Sequence, residues 1–233
     1  MDAFSWTILL SSAAVGVVHV ALGPDHYLPF IMLARARGWS LRRTLAVTLA
    51  CGVGHVGSSV LLGLAGVALG WGAAHVEALE GLRGGVAAWA LILFGFAYGI
   101  WGVRVAVRRR AGIVPHEHGG RVHLHANGAH AHEHTSPERA RTLFWTLFLV
   151  FVLGPCEPMI PFFVAPASRG AWGLAFATGL VFSAVTIASM LVLTGVAAAG
   201  VKRLPLGAFE RWSHAMAGGI IAASGLAVVF LGL

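Results

Sequence analysis

Long apolar stretches constrain the fold of this chain more than any other feature. A helix of about 18 or more apolar residues can cross the hydrocarbon core of a bilayer, and such stretches recur along the 233 residues. The composition agrees, with 58% hydrophobic residues, 11% charged residues and a mean hydropathy of +0.80. We therefore predict an all-α integral membrane protein with six transmembrane helices, and a short amphipathic connector at residues 73–83. The six predicted spans cover about residues 5–33, 44–71, 85–103, 142–166, 172–199 and 215–233.

Two of these spans contain the same proline motif. Residues 22–26 read LGPDH and residues 153–157 read LGPCE. Proline inside a helix removes a backbone hydrogen bond and clashes with the preceding turn, so the first and fourth spans are predicted to break there. The residues expected at these breaks are Gly23, Pro24 and Pro29 in the first span, and Gly154, Pro155, Pro158 and Pro161 in the fourth.

The motif belongs to a longer internal repeat. The Gly-Pro pair recurs at an offset of 131 residues, and Glu80 recurs as Glu210 at an offset of 130. Because each half holds three spans, the second half must enter the membrane in the opposite orientation, as in the inverted repeats of transporters. The chain is thus expected to consist of a first three-helix repeat (1–104), a connection (105–141) and a second three-helix repeat (142–233).

The basic residues predict the orientation in the membrane. Of the 16 Lys and Arg residues, 14 lie in the three connections on one side, and only Arg83 and Arg169 lie on the other. The positive-inside rule then places the protein in the inner (cytoplasmic) membrane, with both termini outside and the 105–141 connection in the cytoplasm. The net charge of +7 is therefore attributed to topology and contact with anionic membrane lipid, and no nucleic-acid partner is expected. Homo-oligomerisation is left open.

Ionisable and metal-ligating side chains at membrane depth are costly in lipid and are candidates for function. Imidazole, carboxylate and thiolate groups together suit Ni²⁺, Co²⁺, Zn²⁺ or Cu²⁺ better than Mg²⁺ or Ca²⁺, which prefer oxygen ligands. Two of the candidates have an alternative role, because His55 can instead hydrogen-bond across a helix interface and Cys156 can be a buried small residue. The predicted metal ligands are His19, Asp25, His26, His55, Cys156 and Glu157.

These residues carry a resemblance to a known family. The pattern H-x5-D-H formed by His19, Asp25 and His26 is similar to the H-x4-D-H signature of nickel/cobalt transporters of the NiCoT and NicO types. The duplicated three-helix plan with Gly-Pro breaks resembles the wider LysE-like transporter superfamily. The resemblance implies that the three motif residues, with His55 as the second-helix histidine, recognise a divalent metal ion that is the transported substrate.

The polar connection contains seven of the twelve histidines, arranged as H-x-H pairs. A segment of this composition buries little apolar area and is predicted to be disordered without a ligand. Neutral imidazoles bind Ni²⁺, Zn²⁺, Cu²⁺ and Co²⁺, so we predict an accessory metal-binding loop, with a solvated linker as the alternative. NicO-type exporters resemble this chain in having a histidine-rich connection. The loop histidines are His116, His118, His123, His125, His130, His132 and His134.

Other functions remain open at this point, among them a non-transporting accessory protein for metalloenzyme maturation. Residues 154–158 (GPCEP) resemble the Pro-Cys motifs of the CcdA family, which implies a transmembrane thiol-disulfide electron carrier. That chemistry needs two exchangeable thiols, and only Cys51 could pair with Cys156. A permease for a small anion or an organic solute within the same superfamily is the third interpretation. No catalytic residues are predicted, so the chain is expected to transport rather than to act as an enzyme.

Overall fold

The computed structural model describes residues 2–110, 114–118, 121–125, 137–203 and 207–232. Within these residues the chain forms eight α-helices, two 3₁₀ turns and two short strands. The helices are α1 (Ala3–Leu22), α2 (Leu28–Ala36), α3 (Leu41–Ala68), α4 (Ala73–Arg110), α5 (Pro137–Leu153), α6 (Met159–Ser168), α7 (Trp172–Arg203) and α8 (Ser213–Leu231). The 3₁₀ turns are Pro24–His26 and Gly207–Trp212, and the strands are β1 (Val114–His118) and β2 (Arg121–His125).

Among the described residues, five helices are long and apolar enough to cross a membrane, so the expectation of a helical membrane protein is confirmed. They lie at Ala3–Leu22, Leu41–Ala68, Ala73–Arg108, Trp172–Val201 and Glu210–Leu231. The fourth predicted span is divided into two shorter apolar helices, and the count of six spans stays a prediction. The predicted connector at 73–83 is wrong, because these residues are the first turns of α4.

Both proline motifs interrupt a helix, as predicted. Helix α1 ends at Leu22, and the Gly23 N–H still donates to the His19 carbonyl at 3.0 Å. Pro24 has no N–H to continue the ladder, so the chain forms a 3₁₀ turn. It becomes helical again at Leu28, with Pro29 in the first turn, where a missing N–H is harmless. Helix α5 likewise ends before Gly154, and α6 begins after Pro158.

The long helices pack in pairs through small residues. Helix α4 runs along α8, α1 packs on α7, and α5 packs on α3, which also contacts α7. Gly95 and Gly102 of α4 lie directly against the α8 backbone at Ala222 and Ala215. Small residues let helix backbones approach closely in lipid, so α4 and α8 can lie in close contact along their length.

The connection between α4 and α5 departs from the expected disorder in two places. Strands β1 and β2 pair antiparallel, with His116 opposite His123 and Val114 opposite His125. Histidines there alternate with β-formers such as Val122 and Leu124, a pattern that favours strands. Of the loop histidines, His130, His132 and His134 lie outside the described residues.

Candidate metal centre

Three histidines from three helical segments meet in the interior. His19 comes from the last turn of α1, His26 from the 3₁₀ turn of the first break, and His55 from the middle of α3. Their ring centroids are 4.5 Å (His19–His26), 5.0 Å (His26–His55) and 6.2 Å (His19–His55) apart. One ring nitrogen from each lies within 4.8 Å of the others. His26 and His55 are buried and His19 is half-buried, so the cluster is largely shielded from the surroundings.

The two buried histidines bind the protein through Nδ1 only. His26 Nδ1 lies 3.0 Å from the Asp25 carboxylate and 3.2 Å from the Gly23 carbonyl, and His55 Nδ1 lies 3.3 Å from the Phe151 carbonyl. Because these oxygens accept hydrogen bonds, they favour the neutral tautomer with the proton on Nδ1, in which Nε2 keeps a free lone pair. Both Nε2 atoms are buried without a hydrogen-bond partner in the described part of the chain.

Such an arrangement is typical of metal-ligating histidines, which donate their other ring N–H to a carboxylate or a backbone carbonyl. The oxygen partner fixes both the tautomer and the ring orientation. Asp25, predicted as a ligand, is thereby placed as the partner of His26. Tetrahedral metal–nitrogen bonds hold ligand nitrogens about 3.4 Å apart, so inward movements of under about 1 Å would bring the three rings to that spacing.

Each glycine of the two Gly-Pro motifs makes room for a histidine of the cluster. A methyl group on Gly23 would lie 2.5 Å from His26 Nδ1, and one on Gly154 would lie 3.2 Å from His55 Nδ1. Gly23 has φ −86° and ψ 92°, which any residue can adopt. Its role is therefore to leave space for an imidazole rather than to relieve backbone strain.

The second break brings a thiol to the cluster. Cys156 is fully buried and its Sγ lies 3.9 Å from His19 Nε2. It packs with Met159 and Phe182 in a small apolar cluster. The thiol of the second break therefore reaches His19, in the helix that leads into the first break. The three imidazoles form the cluster, and the thiol lies beside His19; imidazole and sulfur both suit a borderline or soft divalent cation.

Other predicted residues lie elsewhere. Glu157 is exposed, and its carboxylate lies against Gly81 of α4, so it is not brought into the three-histidine cluster. Cys51 is a buried free thiol like Cys156, but it packs in a different apolar cluster. The two thiols required by a thiol-disulfide carrier therefore sit in separate parts of the core.

The sequence interpretation missed a buried ion pair at the second break. Glu80 has no exposed surface, and its carboxylate accepts from Arg83 Nη1 at 2.6 Å, Ser59 Oγ at 3.2 Å and the Cys156 N–H at 3.2 Å. Arg83 also donates to the Val152 carbonyl at 2.7 Å. Backbone groups freed at membrane depth must find hydrogen-bond partners. Glu80 and Arg83 are those partners at the second break. The sequence signal that indicates this ion pair is two opposite charges three residues apart in an apolar helix.

A small cavity adjoins the cluster and the second break. It holds about 30 Å³ of open space, enough for one or two waters. Small residues of α4 form one wall, opposite α5 and the second break. The side chains that line it include Asp25, His26, His55, Ala87, Ala88 and Phe151.

The fold and the site together define a helical membrane protein with a buried three-histidine cluster. Comparisons with protein-family models, with curated proteins and with solved structures give no match to this chain. The function is therefore inferred from the chemistry of the site.

Proposed function

We propose that this chain is an inner-membrane transporter of a divalent transition-metal ion, with Ni²⁺ or Co²⁺ as the leading substrates and Zn²⁺ or Cu²⁺ as further ones. The observation that carries the proposal is the pair of buried Nε2 atoms, on His26 and His55, that have no partner in the described residues. Burying a polar atom without a partner costs free energy. A metal ion bound between the rings would recover that cost.

The donor set supports a transition metal over the alternatives. Imidazole and thiolate bind Ni²⁺, Co²⁺, Zn²⁺ and Cu²⁺, whereas Mg²⁺ and Ca²⁺ need oxygen-rich shells. The Asp25 carboxylate beside His26 disfavours an anionic substrate, which would be repelled at this position. On entering the site, the ion exchanges water for His19, His26, His55 and Cys156, and the thiol releases its proton to water as it ligates.

The packing supports alternating access between inverted halves. Each half runs through a helix, a proline break, a short helix and two longer helices. The contact of α1 with α7 has a counterpart in the contact of α5 with α3. In this proposal the six-span inverted repeat moves one half against the other around the metal, exposing the site to each side in turn.

The histidine-rich connection acts as a cytoplasmic collector for the same ion. The register of β1 and β2 pairs His116 with His123 and brings two H-x-H segments onto neighbouring strands. Neutral imidazoles in such segments bind Ni²⁺, Zn²⁺, Cu²⁺ and Co²⁺.

The test is metal transport in proteoliposomes that contain a metal-sensitive dye. A variant lacking residues 116–134 isolates the membrane site from the loop histidines. In that background we expect His26→Ala and His55→Ala to abolish Ni²⁺ or Co²⁺ flux, and His75→Ala, which removes an exposed histidine, to leave it unchanged. Equal flux in all variants would remove the cluster from the pathway. Sulfite flux without metal flux would favour the anion permease.

A further inference from the structure

The ion pair at the second break has a position that metal transport alone does not explain. Glu80 and Arg83 lie one helical turn apart on α4 and face the unwound backbone between α5 and α6. The Glu80 carboxylate is fully buried, and it uses one oxygen for Arg83 and the other for Ser59 and the Cys156 N–H. Buried ion pairs are costly unless their remaining hydrogen-bonding groups are satisfied, and here both carboxylate oxygens have partners.

Arg83 donates the remaining hydrogen bonds of this network. Its Nη2 donates at 2.7 Å to Ser58 Oγ and at 2.7 Å to the Val152 carbonyl, with the Gly154 carbonyl at 3.5 Å. A guanidinium can serve several acceptors at once because its donors form a rigid planar fork. The break is therefore tied to α3 and α4 through Val152 and Gly154 before Cys156 and through the Cys156 N–H itself.

Cys156 connects this network to the metal centre. Its backbone N–H is held by Glu80 at 3.2 Å, and its Sγ lies 3.9 Å from His19 Nε2. Pro155 and Pro158 restrict the neighbouring backbone, and the Cys156 carbonyl accepts from the Met159 N–H at 2.9 Å. The hydrogen bond to Glu80 is the side-chain contact that holds the Cys156 N–H. Loss of that bond would let the segment rotate and carry the sulfur away from the histidines.

We propose that Glu80 and Arg83 are positioning residues that hold Cys156 as the sulfur ligand, and so set the preference of the site for soft metal ions. The inference rests on the proposed function, since it assumes that the histidine cluster binds metal. It assigns the pair no direct contact with the ion. Replacing Glu80 or Arg83 should therefore weaken metal binding by the Cys156 sulfur more than metal binding by the histidines.

Cobalt absorption spectroscopy on the full chain in detergent tests this directly. Thiolate bound to Co²⁺ gives a near-ultraviolet charge-transfer band, whereas the visible ligand-field bands report the whole shell. We expect the band in the unmodified chain and its loss in Cys156→Ser. Glu80→Gln should lose most of the band and bind Co²⁺ about tenfold more weakly, as expected for a change in an outer-shell partner. Visible bands from the histidine-bound ion should remain.

A matched control is available in the other half of the chain. Glu210 occupies the repeat position equivalent to Glu80, and its carboxylate pairs with Arg35 at 2.7 Å with 58% of its side chain exposed. Glu210→Gln should leave the band and the Co²⁺ affinity unchanged. If Glu80→Gln does not fold, Arg83→Lys replaces it, because an ammonium cannot reach Glu80, Ser58 and Val152 together. It should show the same loss of the band.

The outcomes separate the two proposals. A full charge-transfer band and unchanged affinity in the folded Glu80 or Arg83 variant would overturn the positioning role. Co²⁺ binding to the unmodified chain without the band would exclude Cys156 as a ligand and overturn this inference, while leaving the histidine site intact. Failure of the unmodified chain to bind Co²⁺ at all would instead refute the metal-transport proposal.

Discussion

Replacement of Gly23 by alanine tests whether the first Gly-Pro motif exists to make room for a ligand. The new methyl group would lie 2.5 Å from His26 Nδ1 and 3.0 Å from an Asp25 carboxylate oxygen. An ordinary contact begins near 3.4 Å, so the ring must retreat by about 0.9 Å. The backbone at Gly23 has φ −86°, which alanine adopts without strain, so the steric effect on His26 is isolated.

The expected loss follows from that displacement. A shift of this size weakens the hydrogen bonds that orient His26, and overpacking in a filled interior typically costs about 1–3 kcal/mol. At about 2 kcal/mol the affinity for Ni²⁺ should fall roughly 30-fold. Gly154→Ala places its methyl 3.2 Å from His55 Nδ1, so a retreat of a few tenths of an ångström suffices. Its expected cost is about 0.5 kcal/mol, or roughly twofold.

Isothermal titration of the purified chain with Ni²⁺ measures both changes. Gly57 is the control, because it lies in α3 and a methyl group there would have no heavy atom within 4 Å. Gly57→Ala should leave the affinity unchanged and raise helix stability by up to about 1 kcal/mol. The reasoning is refuted if Gly23→Ala binds Ni²⁺ within threefold of the unmodified chain, or if Gly154→Ala loses more affinity than Gly23→Ala.

Three further outcomes are expected. Asp25→Asn should weaken Ni²⁺ binding about tenfold, because His26 keeps an oxygen acceptor but loses its carboxylate; unchanged binding by titration would contradict this. Ala88→Val narrows the cavity beside the cluster, so Ni²⁺ flux into proteoliposomes should fall while the dissociation constant stays constant; parallel loss of both would contradict a role in the path. Gly218→Ala directs a methyl into the backbone of Gly99, whereas Gly99→Ala finds its nearest heavy atom at 3.6 Å. The first should lower stability by about 1–3 kcal/mol in thermal unfolding and the second should be near neutral; equal melting temperatures would argue against this packing.

Features that depend on local chemistry were predictable from the sequence. Proline ends a helix wherever the surrounding pattern is helical, and both predicted breaks occur. His19 and His26 flank the first break at a spacing of seven residues, so a short turn between them brings their rings together. His55 was recognisable as a polar residue at membrane depth, although only the packing of α3 places its ring 5.0 Å from that of His26.

Features that depend on tertiary contacts were not predictable. Residues 73–83 contain Glu77, Glu80 and Arg83 and therefore look like a surface connector. In the fold this segment continues α4, and two of these charges turn inward to serve the broken backbone. Glu157 follows Cys156 directly, so its sequence position suggested a ligand. The turn after Cys156 points the carboxylate to α4 instead.

At both breaks, backbone groups lose their helical hydrogen-bond partners. The two breaks replace those partners with different groups. At the first break, the Gly23 carbonyl accepts from the His26 N–H at 3.1 Å and lies 3.2 Å from the His26 ring, so His26, a proposed ligand, itself satisfies the break. At the second, the Glu80–Arg83 pair does so from a neighbouring helix. Freed backbone groups must be paired inside lipid. A proposed ligand can therefore be substituted without loss of stability only where another residue forms the hydrogen bonds to those groups. Substitution at Cys156 should therefore alter metal preference with little loss of stability, whereas substitution at His26 should cost both.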